Sequence, residues 1–561
     1  MRPAARLSPD RWAAIAAFVL VGVAVLVGAA FGWAGHPVHA PAAPLFGHFL
    51  PHVGPGTPFA LAVAVAVIHW GPVLADRMPW RRLLLAGWVA SVAWTFALAL
   101  VDGWQRGVAG RLTTPFEYLT EVPGVTDVHA MLRGFTGHIL LFSPDNWTTH
   151  VSGHPPGVLL VFVGLDRLGL HGGGWAAVLC VLVGCVATVA VAVTLRALGD
   201  EAAGRAALPF LVLFPGAVWV GVSADGLFMG VAATALALLA VGLTRPSWWC
   251  AGLGGAGLAA CAYLSYGLIL LALPAAAVTV AAWQRQRLPA TPAPQRLTPT
   301  PAAPGPSSEP APPQPASATA DPMRPGPAAT ATANPARPAT ATTGTAPPAT
   351  ATTGPTPPQP ATNPAQPAPA TTTLDPVRPR RASGTTDAAR ARRLPRATSP
   401  AAGTTTVRQL SRLACAVVGA ALVVALMTGL GFDWLEGYRL VKVRYYQGLA
   451  SARPYTYWVW GNLAALAVSA GPAAAVILRR AVVQLRTART PPVLLCLGAV
   501  AAVVAADLSG LSKAEVERIW LPFAIWLPAA AALLPARDRR TWLYWQAATA
   551  LVVNHLVLTS W

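Results

Sequence analysis

The ionisable residues of this 561-residue chain gather in a few short stretches between long apolar runs. The longest stretch, residues 102–156, holds Asp102, Glu117, Glu121, Asp127 and Asp145 with His129, His138, His150 and His154. A carboxylate at the mouth of a membrane helix can take a proton from a hydroxyl group, because partial desolvation lifts its pKa toward neutrality. Asp102 stands where an apolar run ends, and Glu121 and Asp127 each follow a Pro-containing turn that could aim them inward. These three acids are the candidate general bases. The competing reading of Asp102 is a helix-end acid paired with Arg106 or Arg111.

Further along, "HVSGHPPG" (150–157) sets two prolines at the start of an apolar run, where their fixed φ suits a helix start. That puts His154 beside helix-terminal amides, which favour an anion such as a phosphate. The spacing of His150 and His154 suits a metal pair only if a helix runs through both, and Ser152-Gly153 followed by the prolines argues against one. Asp225, in "VSADGLF", is an acid between two apolar runs, read either as a functional boundary acid or as the cap of the next helix. In "DLSGLSKAEVERIWLPF", Lys513, Glu515, Glu517 and Arg518 fall within six residues, a pattern that suits a phosphate clamp by Lys513 or Arg518. The stretch 432–456 mixes Arg439, Lys442, Arg444 and Arg453 with Trp and Tyr. It fits a lipid-phosphate headgroup, a sugar ring or an aromatic interface belt equally well.

The elements that must position these groups are membrane helices. The chain is 54% hydrophobic and 11% charged, with a mean hydropathy of +0.51. Soluble chains carry about 25% charged residues, so an ordinary cytosolic enzyme is excluded. Apolar runs of about 18 to 24 residues match the roughly 30 Å hydrocarbon layer, and their continuity excludes a β-barrel. The expected fold is an all-α polytopic bundle of 13 or 14 spans. The run 249–283 is too long for one span and short for two, which predicts a broken or re-entrant helix near Ser265–Gly267.

Three regions follow: an N-terminal membrane domain over 1–283, a Pro/Ala/Thr/Arg-rich linker over 284–412, and a C-terminal membrane domain over 413–561. The linker lacks a periodic apolar face and is expected to be disordered, partly polyproline II. Net charge is +19, and the linker contributes 14 Arg against four acids, which points to a topology signal and away from nucleic acid as a partner. Arg placement puts the N-terminus, the linker and the Arg-rich loops at 479–489 and 537–540 in the cytoplasm. Segments 102–156, 432–456 and 507–518 then face outward from the plasma membrane. The first apolar run reads as a signal-anchor. The six cysteines, inside or beside apolar runs, read as small core residues.

At four places the sequence resembles the GT-C superfamily of polyprenyl-phosphate-sugar-dependent glycosyltransferases, near the protein mannosyltransferases and aminoarabinose transferases. An acid (Asp102) heads a long outer loop, and His154-Pro155-Pro156 opens the next span. "LRALGDEAAGRAALPFLVLFPGAVWVGVSADGLFMG" has the helix–Pro–helix–Asp arrangement, and "AEVERIWLPFAIWLPAAAALL" resembles the late charged motif with its Pro-rich helix. Asp102 is followed by Gly103 rather than a second acid, and the insert 285–406 has no counterpart in the family.

The resemblance implies displacement at the anomeric carbon of a lipid-phosphate-linked sugar. Asp102, Glu121 or Asp127 would serve as base. His154, Lys513 and Arg518 would hold the phosphate, with His150, Asp225, Glu515 and Glu517 lining the substrate site. The acceptor would be a glycan, a lipid or a protein. No cofactor is fixed by this; some branches of the superfamily use a divalent metal ion held by carboxylates. Two other classes compete. A transporter or lipid flippase would carry inverted repeats and midplane charges. An inactive scaffold would use the Pro-rich linker to recruit partners.

Overall fold

The computed structural model describes residues 8–221, 223–287 and 402–559, and these form one compact, almost wholly helical unit. In chain order the helices are α1 (Pro9–Trp33), α2 (Thr57–Arg77), α3 (Trp80–Ala99), α4 (Val128–Gly134), α5 (Thr149–Gly153), α6 (Gly157–Arg167) and α7 (Gly173–Ala197). Then come α8 (Glu201–Val212), α9 (Ala217–Val220), α10 (Asp225–Thr244), α11 (Trp248–Leu264), α12 (Ala272–Arg287) and α13 (Ala402–Gly429). The last group is α14 (Trp434–Gln447), α15 (Tyr455–Ala470), α16 (Pro472–Leu485), α17 (Pro491–Leu508), α18 (Val516–Ile519), α19 (Leu521–Ala524) and α20 (Arg539–Leu556). Two three-residue strands, β1 (Gly47–Phe49) and β2 (Val557–Thr559), pair antiparallel.

Among the described residues, eight helices are long and apolar enough to cross a membrane: α1, α2, α3, α7, α10, α12, α13 and α17. The bent pair α15–α16 makes a ninth if counted as one span. This is fewer than the 13 or 14 expected, and the reason lies in how the apolar runs are used. The run at 157–170 becomes an 11-residue helix, α6. That at 206–222 is split between α8 and α9 around Phe214-Pro215-Gly216, and the run at 519–535 is cut into short turns at Pro522 and Pro528. Residues of these segments are buried in the protein, so their apolarity reflects an interior rather than a lipid-facing surface. The run 249–283 does break where expected: α11 ends at Leu264, Ser265 is extended, and a 3-10 turn (Tyr266–Leu271) leads into α12.

Helices α7 and α10 form the centre, packed on each other, with α3, α8 and α11 around them. The C-terminal helices join the same core through the contacts of α13 with α11 and of α17 with α12. α15 and α16 meet at 106° around Gly471, whose φ of +80° and tight packing against Gln546 leave no room for a side chain. Helical structure also trims the ends of the Pro/Ala/Thr/Arg-rich segment placed at 284–412. α12 continues to Arg287 and α13 starts at Ala402, while 288–401 lie outside the described residues. Five of the six cysteines are buried, and none forms a disulfide.

Ionic contacts mark both ends of the bundle. At one end Asp10, at the start of α1, is gripped by Arg479 and Arg480 of α16, and Arg205 holds the carbonyls of Ala75 and Met78 after α2. At the other end the segment after α1, the 100–156 stretch, the 507–518 loop and β2 meet one another through contacts described next.

Candidate functional site

Arg518 is the hub of a buried ionic cluster. It projects from the short helix α18, is 5% exposed, and donates Nη1 to Asp225 Oδ2 at 2.6 Å and Nη2 to Glu515 Oε2 at 2.7 Å. Asp225, 3% exposed, stands in the first turn of α10 and also accepts from the Ser223 hydroxyl at 3.2 Å. The next link is Arg453, before α15, whose Nη2 reaches Glu515 Oε1 at 2.9 Å and whose Nη1 reaches the Lys513 carbonyl at 2.8 Å. Burial alone would lower the Arg518 pKa, but the carboxylates of Asp225 and Glu515 override it and hold the guanidinium protonated. Burial raises the Glu515 carboxyl, and the guanidiniums of Arg518 and Arg453 more than offset that, leaving it below the ordinary range.

Next to Arg518 lies an acid–imidazole pair. His150 Nδ1 is 2.8 Å from Glu117 Oε1, and His150 Nε2 is 3.4 Å from Arg518 Nη2. Glu117 is 1% exposed, and despite the short contact neither of its oxygens makes a well-aligned hydrogen bond among the described residues. His154 sits one layer behind. Its Nδ1 lies 2.9 Å from the His150 carbonyl, and its ring packs on Tyr118 and Phe228 with centroids 5.9 and 5.6 Å away. Burial pushes its pKa down to about 4, so the ring is neutral at neutral pH. Pro156 caps α6, and the two prolines position His154 at that helix entrance as the sequence suggests.

The segment carrying the cluster is strained and braced. Ala514 and Glu515 have φ of 67° and 63°, the left-handed region that costs a residue with a Cβ roughly 1–2 kcal/mol each. Asn462 of α15 holds them there, donating to the Ser512 carbonyl at 2.7 Å and accepting from the Ala514 amide at 3.2 Å. The Tyr445 hydroxyl accepts from the Lys513 amide at 2.7 Å. Lys513 donates Nζ to the Ala450 carbonyl at 3.1 Å, and burial followed by the charge of Arg453 lowers its pKa.

On the far side of the cluster Glu517, 1% exposed, accepts the Phe46 amide at 2.8 Å; burial pushes its carboxyl up to about 7. The Phe46 ring stacks 5.2 Å from the Arg453 guanidinium and forms part of the wall of an apolar cavity of about 910 Å³. Val21, Val25 and Gly28 of α1, Leu45, and Val468 of α15 line it too.

The three acids expected as bases contact other groups. Asp102 lies among His52 Nε2 at 2.8 Å, Arg111 at 3.1 Å and Arg106 at 3.3 Å, so it is paired with the two arginines proposed as its alternative partners. Its partner Arg111 passes on to the Thr559 carbonyl at 2.6 Å. Asp127 is the exposed cap of α4, and the amides of Ala130 and His129 hold its carboxyl below the usual range. Glu121 accepts the Thr148 amide at 2.7 Å and closes the loop on itself.

Among the described residues no group of three or more His, Cys, Asp and Glu side chains is arranged to hold a metal ion. The carboxylates of the cluster face Arg518 and Arg453, so a divalent cation would have to displace a guanidinium, and this donor set does not fit one.

Of the residues singled out in the sequence, the fold joins His150, His154, Asp225, Lys513, Glu515, Glu517 and Arg518 into one neighbourhood. It adds Glu117, Arg453, Asn462 and Phe46. Glu117 sits between Phe116 and Tyr118, and an acid among aromatics is the local hint of burial; for Asn462 and Phe46 no local signal exists. No family model matches the chain, and no curated protein or solved structure matches it either.

Proposed function

We propose that this multi-pass membrane protein is a glycosyltransferase that moves a sugar from a polyprenyl-phosphate donor to a hydroxyl of a glycan, lipid or protein acceptor. The reaction would run on the extracytoplasmic side of the plasma membrane. One observation carries the reading: Arg518, Asp225, Glu515, Arg453 and the Glu117–His150 pair converge from distant segments, and Phe46, packed on Arg453, joins them to an apolar cavity of about 910 Å³. A lipid phosphate leaving an anomeric carbon gains charge in the transition state, and preorganised guanidinium groups stabilise such charge most where water is excluded. In this scheme Arg518, with Arg453 and Lys513, meets the phosphate. Proton removal falls to an acid-assisted group of the cluster instead of Asp102.

The 106° bend between α15 and α16 and the break at Ser265 favour one other reading, a transporter, since discontinuous helices frame transporter sites. Against it, Asp225 lies at a helix end and Arg518 outside the long spans, away from a midplane position.

The purified chain in proteoliposomes, given radiolabelled polyprenyl-phosphate sugars and a mixed-glycan acceptor, tests both. Label transfer that is lost in Arg518→Ala supports the transferase. Vesicle uptake of solute without any transfer would refute it.

A further inference from the structure

The tautomer of His150 follows from its neighbours. Arg518 Nη2 can only donate, so His150 Nε2 accepts from it, and a single ring proton is left to Nδ1, which lies 2.8 Å from Glu117 Oε1 though not well aligned with it. An imidazole with a carboxylate on one nitrogen and a basic lone pair on the other is arranged to accept a proton, because the carboxylate stabilises the imidazolium that results. Here that lone pair is covered by a guanidinium. The cover is carried by α18, which follows directly after Ala514 and Glu515, the two residues held in the left-handed region.

We propose that His150 is the proton acceptor of the transfer reaction, oriented by Glu117 and masked by Arg518 until an anionic phosphate draws the guanidinium away. This rests on the transferase reading. An incoming lipid phosphate competes with His150 for Arg518 Nη2, so donor binding and exposure of the base become one event, and an acceptor hydroxyl is not activated before a donor is present. In the step itself the acceptor O–H gives its proton to His150 Nε2 as its oxygen bonds to the anomeric carbon. The bond from that carbon to the phosphate oxygen breaks, and the electron pair leaves with the lipid phosphate, now paired to Arg518. The proton returns to water from His150 after product release. His150 is thus a catalytic residue and Glu117 a positioning residue. Around the ring stand Glu117 and Tyr118 from the outer loop, His154 from the entrance of α6 and Arg518 from α18, with Asp225 of α10 bonded to Arg518 and acting on His154.

Two measurements on the full-length protein in proteoliposomes test this. The first is carbethoxylation of His150 by diethyl pyrocarbonate, read by peptide mass spectrometry with and without polyprenyl monophosphate, whose binding is checked by co-purification. At least fivefold faster modification is expected when the lipid phosphate is bound. An unchanged rate with the lipid bound overturns the proposal. The second is the split between kcat and KM of transfer. Glu117→Gln should lower kcat about 100-fold while leaving KM for the donor within threefold. A merely structural loss would raise that KM as kcat falls.

His150→Gln retaining kcat within threefold of the parent overturns the proposal; if that variant does not fold, the kcat-against-KM split in Glu117→Gln decides. Unmasking by polyprenyl phosphate with no sugar transfer from any donor refutes the transferase reading instead, so the two failures are distinguishable.

Discussion

Replacing Asp225 by Asn keeps the side chain's shape and removes its charge, leaving Glu515 as the carboxylate bonded to Arg518. Two opposite unit charges about 4 Å apart attract by about 4 kcal/mol at an effective dielectric of about 20. Breaking a buried pair from one side costs about 3–5 kcal/mol. Arg518 keeps a second carboxylate at 2.7 Å, so the lower part of that range applies and a loss of about 2–3 kcal/mol is expected. Arg518→Met strands two acids at once and should cost about 4–5 kcal/mol. The double variant loses less than the sum, because the asparagine no longer needs the guanidinium; a coupling energy of about 2 kcal/mol follows. Unfolding in mixed detergent–SDS micelles, followed by Trp fluorescence, gives all three values. Coupling within about 0.5 kcal/mol of zero, the additivity of residues that do not touch, would refute the assigned hub.

Three further outcomes are expected. His154 titrates at about 4 in the folded chain against about 6.5 when unfolded, so the unfolded state binds the extra proton. Stability should therefore be full above pH 6.5 and fall by at most about 3 kcal/mol as pH drops toward 4. In His154→Phe that fall should be absent from the micelle unfolding curves. Ala514→Gly relieves one left-handed residue and should raise stability by about 1 kcal/mol, seen as a higher thermal midpoint. Asp102→Asn removes the shared partner of His52, Arg106 and Arg111 and should cost about 1–3 kcal/mol of stability while transfer survives; abolished transfer in a folded variant would return Asp102 to the catalytic set.

Periodicity and motif position made part of this legible in advance. The break near Ser265 was readable from a run too long for one span, and Arg106 as a partner of Asp102 from its four-residue spacing. Asp225, Arg518, Glu515 and His150 stand out because charge among apolar runs is costly and therefore conspicuous. The span count is different. Apolarity alone does not distinguish a helix facing lipid from one enclosed by protein, and the segments around Trp219 and Trp526 are of the second kind. The partners of the cluster are different again. Phe46 meets Glu517 across 471 residues, and Arg518 meets Asp225 across 293, distances over which no local pattern carries information.

The strand pair between Gly47–Phe49 and Val557–Thr559, with Arg111 closing onto Thr559 across 448 residues, bears on biogenesis. Translation must pass residue 559 before the stretch following the first helix finds its β partner. Until residue 485 has been made, α1 also lacks α15 and α16, the neighbours it packs against. The nascent protein therefore inserts early helices that wait, loosely associated, for late ones. Ribosome-stalled chains halted before α15 should expose α1 to membrane-insertion chaperones, and release of the full sequence should end that association.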